Sequence, residues 1–135
     1  WMRERGFLDE EVTTAADLIK NHLDKPLVTV KTEELVSHAI ERMKEFKISQ
    51  IPVKDAEGFV GSIDETDLLR SFISDKEIAD KPIKDIMGKP YPIVKKYTKI
   101  DAISKLISKE NEAVLVDLEN GNYHIVTKYD VISSI

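Results

Sequence analysis

The chain has 135 residues, with 20 Lys and Arg against 25 Asp and Glu and no cysteine. That length suits one compact domain, and 41% apolar with 33% charged residues reads as a globular, soluble protein. A net charge of −5 with scattered cations argues against nucleic acid or a membrane surface as partner, no apolar run reaches spanning length, and the lack of cysteine excludes disulfides and thiol catalysis.

Residues 1–12 are charged with a few apolar anchors (Trp1, Met2, Phe7, Leu8) and read as a leader from a preceding domain. With no initiator methionine, the chain is expected to be an excised piece of a longer protein. Positions 14–23 predict a short helix, N-capped by Thr14 with Asp17 three residues on, and Pro26 stops it. A short strand is predicted at 27–30. Val36, Ala39, Ile40 and Met43 follow the i, i+3, i+4, i+7 pattern of an amphipathic helix over 33–46, with the acid pair Glu33-Glu34 at its start. Strands are predicted at 50–54 and 59–63, joined by Asp55-Ala56-Glu57-Gly58, where Gly58 is free to take a positive φ. A helix follows over 65–73. The charged stretch 74–81 reads as an exposed linker.

The pattern then restarts. A short helix is predicted at 83–87 and strands at 93–95, 113–118 and 123–126. A helix is marked by Ile100, Ile103, Leu106 and Ile107, and a last one covers 128–134. Subtracting 63 places Val116 on Val53, Gly121 on Gly58, Val126 on Ile63 and Asp130 on Asp67, with no gap. Earlier in the unit the register drifts by one, since Ile100 matches Val36 better than Ser37. Each copy alone is near the lower limit for a self-sufficient core, so the copies are expected to pack on each other. The order strand, helix, strand, strand, helix predicts an α/β (α+β) fold with small mixed sheets and helices on one face.

These residues resemble a tandem CBS domain pair, or Bateman module. The resemblance rests on the helix ending near Met43, then Ile51-Pro52-Val53-Lys54-Asp55, Gly58, Val60-Gly61 and Asp64-x-x-Asp67, with the same order in the second copy. It covers nearly the whole chain and implies βαββα repeats related by a pseudo-twofold axis, one over 13–73, a linker at 74–81, and one over 82–135. The leader Trp1-Met2-Arg3-Glu4-Arg5-Gly6-Phe7-Leu8 also resembles the segment after the pyridoxal-phosphate domain of cystathionine β-synthases. That resemblance implies a C-terminal regulatory region of such an enzyme.

The family resemblance implies two clefts for adenosyl ligands such as AMP, ATP or S-adenosylmethionine. Its pattern Gly-x-x-Thr/Ser-x-x-Asp falls on Thr127 and Asp130, with His124 in place of the glycine. The Asp would bind ribose hydroxyls and the Thr a phosphate or its substitute. Thr127-x-x-Asp130 is also a helix cap, a bland reading that stands beside the functional one. The opposite copy would contribute Leu27, Val28, Thr29, Ile48, Ser49, Gln50, Ile51 and Pro52, and Ile125 would add to the Thr127 side. Core packing is the plainer reading of Val28 and Ile51, and solvation of a strand edge that of Gln50. In the first copy Asp64 stands where Thr or Ser is expected, so Asp64 and Asp67 would oppose a phosphate in this weaker second cleft. A cationic or neutral adenosyl compound is penalised less, which favours S-adenosylmethionine.

His22, His38 and His124 lack metal-ligand spacing, His124 is expected in a strand with its ring partly exposed, and no metal site is expected. Tyr91, Tyr97, Tyr123 and Tyr129 form no stacking platform with basic residues. No catalytic residues are expected, because neither a nucleophile with its base nor a phosphate loop is present. The expectation is a cytoplasmic regulatory module without cofactor of its own, acting on its catalytic domain and pairing as a homodimer. The alternative is a ligand-free oligomerisation or autoinhibitory domain, burying the helices that carry Leu68-Leu69 and Val131-Ile132.

Overall fold

Alternating apolar runs and glycine turns build two three-stranded sheets in the computed structural model, which describes residues 13–109 and 111–134. The expected leader, residues 1–12, lies outside the described residues. The first sheet contains β1 (Val30–Lys31), β2 (Gln50–Asp55) and β3 (Gly58–Asp64) in that order. β1 runs parallel to β2, with Val30 opposite Val53, and β2 runs antiparallel to β3, with Ile51 opposite Ile63. Parallel strands need a crossover, and α2 (Val36–Phe46) supplies it. Gly58, at φ +133°, lets the chain turn between β2 and β3. α2 buries Val36, Ala39 and Met43 and closes on Lys47 in the left-handed region, whose N–H donates to the Met43 carbonyl. α3 (Glu65–Ser74) completes the repeat.

The second sheet repeats this plan with β4 (Ile93–Lys95), α4 (Ile100–Lys109), β5 (Ala113–Asp117), β6 (Tyr123–Thr127) and α5 (Lys128–Ser133). β4 is parallel to β5 and β5 antiparallel to β6. The α2 and α4 helices start at Val36 and Ile100, whereas α3 and α5 start at Glu65 and Lys128. The one-residue drift read from sequence is therefore real and is absorbed before β5.

The packing units are not the sequence repeats. One unit holds the described residues through Leu27 together with those from Pro92 onward, and the other is Val28–Tyr91. The short α1 (Ala15–Ile19) joins the second sheet: Ala15 N–H donates to the Thr98 carbonyl at 2.8 Å and Ile100 N–H to the Thr13 carbonyl at 2.9 Å. Ala15, Leu18 and Ile19 share a core with Val94, Ile103, Ile107, Val114, Val116 and Val126. The first sheet instead recruits the segment C-terminal to α3. Ile78 and Ile83 enter the core of Val30, Val36, Ala39, Met43, Ile51, Val53 and Ile63. Along the edge strand, Gly88 pairs with Ser62 as an isolated antiparallel bridge. Burying an apolar side chain of this size stabilises by about 1.5–3 kcal/mol, so each short segment goes where a core has room for it.

Several expectations change. The strand foreseen at 27–30 is Val30–Lys31, because pairing with β2 begins only at Val53. The helix foreseen over 33–46 starts at Val36, since Glu34 is held outside it by the Lys31 N–H, which donates to Oε2 at 2.8 Å. The helix foreseen at 83–87 is a single 3₁₀ turn, Ile83–Asp85. The linker 74–81, expected to be exposed, anchors itself through buried Ile78. His124, expected to be partly exposed, is buried.

Candidate functional site

Thr127 ends β6 and caps α5, and Asp130 lies in the first turn of that helix. One carboxylate oxygen of Asp130, Oδ2, accepts from the Thr127 N–H at 2.8 Å and from the Thr127 hydroxyl at 3.2 Å. The cap foreseen in Thr127-x-x-Asp130 is therefore made. It leaves Oδ1 over, which lies 3.5 Å from Nε2 of His22. His22 closes the 3₁₀ turn Lys20–His22 that continues α1. Its side chain is 44% exposed, that of Asp130 16%. His124 lies on β6, where burial first and the His22 charge second hold its imidazole below the usual histidine range. Lys128, next to the cap, is drawn away to Glu112 at 3.0 Å. Ile125 and Leu27, both half-buried, belong to this same unit.

The remaining candidates lie on the other unit. Asp64 caps α3, its Oδ1 accepting from the Asp67 N–H at 2.8 Å. Burial first and the neighbouring Asp64 charge second push the Asp67 carboxyl above the usual range. Ionisation of Asp67 is thus already opposed by the acid beside it at the helix start. Gln50 is opposite Asp64 in the β2–β3 ladder, and Glu65 N–H donates to the Ser49 carbonyl at 3.2 Å, so Ser49, Gln50 and Asp64 are brought together. Ile51 is fully buried and Pro52 buried, while Val28 and Ile48 pack against the same core half-buried. Ile51 is thus committed to the core, as its plainer reading held.

Thr29 is positioned by residues that sequence reasoning missed. Arg42 donates to the Thr29 carbonyl at 3.2 Å and to Glu34, with its closest approach 2.9 Å. The Arg42 guanidinium, foremost, holds the Glu34 carboxyl below its usual range. The spacing of Glu34 and Arg42 spans two helical turns, but Glu34 lies in a bend before α2 rather than on the helix itself. His22 had no signal, since its partner Asp130 is at the opposite end of the chain. Among the described residues no group of three or more His, Asp or Glu side chains is arranged to hold a metal, and no helix is long and apolar enough to cross a membrane.

A family model for the CBS domain matches residues 15–74 and 83–135. The chain belongs to the CBS domain family and carries the domain in tandem. Among solved structures, it is similar to a CBS-domain-containing protein from Agrobacterium tumefaciens (19% identity, TM-score 0.81, covering 95% of this chain and 97% of that one). It is also similar to a putative signal-transduction protein with CBS domains from Burkholderia ambifaria (23% identity, TM-score 0.80, covering 90% and 93%). A third likeness is to CBSX2, solved in complex with AMP (24% identity, TM-score 0.65, covering 90% and 94%). These likenesses show the shared fold. No curated protein matches the chain.

Proposed function

We propose that this CBS pair is a regulatory module that binds an adenosyl ligand. The observation that carries the reading is the Asp130 carboxylate, which keeps one oxygen outside the Thr127 cap and therefore available to ribose hydroxyls. The CBSX2 complex supports the ligand class, since that relative in fold binds AMP. On this reading Thr127, Asp130, Ile125 and Leu27 are the ligand-binding candidates of one unit. Val28, Thr29, Ile48, Ser49, Gln50, Ile51 and Pro52 are those of the other, Ile51 by its backbone. S-adenosylmethionine is favoured over AMP and ATP where the Asp64-Asp67 pair faces the ligand, because a phosphate there adds a third negative charge. The leader residues Trp1 to Leu8 support an attached cystathionine β-synthase-like catalytic domain, a cytoplasmic lyase using pyridoxal phosphate, whose activity the module modulates by favouring one of two arrangements.

Calorimetry with S-adenosylmethionine, AMP and ATP tests the reading, and silence for all three overturns it. Asp130→Asn, which keeps an acceptor for the cap, is expected to retain the fold and lose most of the binding. Assayed alone, the chain is expected to turn over no β-replacement substrate.

A second reading, an oligomerisation domain without ligand, has one observation in its favour. Leu69 and Ile73 on α3, and Tyr129 and Ile132 on α5, are large apolar residues left more than half exposed. Homodimers joined through these helices would bury them. Sedimentation of the parent chain and of Leu69→Glu/Ile132→Glu distinguishes the cases: a parent that stays monomeric at high concentration removes this reading.

A further inference from the structure

We propose that His22 is a further residue of the adenosyl site, which shares Asp130 with the ribose and sets how freely its carboxylate is offered to the ligand. The inference rests on the adenosyl reading above. Asp130 divides its two oxygens between two tasks. Oδ2 is occupied by both donors of Thr127, and Oδ1, the one left for a ribose diol, is the oxygen that His22 reaches at 3.5 Å. A ribose hydroxyl that donates to Oδ1 must therefore displace or share the imidazole. A neutral imidazole yields easily. An imidazolium holds the carboxylate by a charge-assisted contact, with which a neutral ribose hydroxyl must compete for Oδ1.

The surroundings leave His22 as the group that decides this. His124, on β6, is buried and resists a proton, so it brings no second cation to the carboxylate. On α5 itself Lys128 is paired with Glu112. On the adjoining α1, Asp17 accepts from its own cap residue Thr14, and Lys20 is exposed. On α4, which packs on α5, Asp101 and Lys105 are exposed. Histidine is the side-chain type that changes charge between about pH 5 and pH 8, and the test brackets that interval. Its ring is partly exposed at the end of a single 3₁₀ turn, so substitutions there leave both cores intact.

The test is calorimetry of the whole chain with AMP and, separately, S-adenosylmethionine, at about pH 5.5 and about pH 8. It is run on the parent, on His22→Gln, which is never charged, and on His22→Lys, which always is. Comparing variants at each pH cancels the titration of the ligand itself. For a half-exposed ion pair the expected effect is about three- to fivefold in Kd. His22→Gln is expected to bind more tightly than the parent at the acid pH and equally at the alkaline one. His22→Lys is expected to bind more weakly than the parent at the alkaline pH and equally at the acid one. Binding that keeps the same ratio among all three proteins at both pH values overturns the role of His22 and leaves the adenosyl reading standing. Silence of both ligands with every protein overturns the adenosyl reading, and the role of His22 with it.

Discussion

Replacing Gly61 with alanine is expected to destabilise the unit Val28–Tyr91 through space rather than through backbone conformation. Gly61 lies in β3 outside the positive-φ positions, which among glycines are Gly58 and Gly121. A Cβ there would lie 2.6 Å from Sδ of Met87, 2.9 Å from its Cγ and 2.9 Å from the Gly88 carbonyl oxygen. The thioether can swing aside. The carbonyl cannot, because it accepts from the Ser62 N–H at 3.2 Å while the Gly88 N–H donates back to Ser62 at 2.8 Å. The Ser62 hydroxyl adds a third bond, to the Lys89 carbonyl at 2.6 Å. Overpacking of this kind costs about 1–3 kcal/mol, and each net hydrogen bond weakened adds about 1 kcal/mol. We expect a loss of about 2 kcal/mol, roughly 5–8 °C in Tm for a chain of this size. Thermal and urea unfolding followed by circular dichroism measure it. Gly61→Ala/Met87→Ala removes the side-chain clash but not the carbonyl, and is corrected for the loss in Met87→Ala alone. It is expected to recover less than half of the Gly61→Ala effect. A Gly61→Ala protein as stable as the parent would refute the steric argument.

Three further expectations rest on the same geometry. Asp130→Ala removes both acceptor bonds of the α5 cap and is expected to cost about 1 kcal/mol in urea unfolding, with Asp130→Asn costing less than half of that; equal losses would mean that charge rather than hydrogen bonding holds the cap. Asp67 has its carboxyl raised above 3.8, so the folded state holds that proton more tightly and its ionisation costs stability as pH rises through the raised value. Asp67→Asn is therefore expected to melt above the parent at neutral pH and to lose that advantage below about pH 3.8, and a gain that persists in acid would contradict the assignment. His124 is shifted the other way, below 6.5, so the stability tied to its neutral ring is full above that value and is lost as pH falls through 6.5 towards the lower folded value; urea midpoints of His124→Gln should change less than the parent's between about pH 7.5 and pH 5.5.

The order of elements was legible along the chain because each signal is local. The stripe from Val36 to Met43 and the glycine turn at Gly58 need no distant partner to declare themselves. Duplication repeats the signal: the N-caps Asp64 and Thr127 fall 63 positions apart, and both cap their helices through a residue three positions on. Boundaries were less legible where a tertiary partner sets them. β1 begins at Val30 because β2 offers its parallel partner only from Val53, and Glu34 stays out of α2 because Arg42 and the Lys31 N–H hold it.

The sequence by itself determined the tandem βαββα plan and the cap chemistry of Thr127 and Asp130, since both depend on residues close together in the chain. Only the tertiary structure decided which segment completes which core. α1 joins the sheet that comes after it by more than a whole repeat, and Ile78 and Ile83 join the sheet before them, because short apolar segments settle where burial is available rather than where the repeat boundary falls. The same exchange brings His22 to Asp130. A contact between residues so far apart depends on how α1 packs against β6, and no spacing in the sequence encodes it.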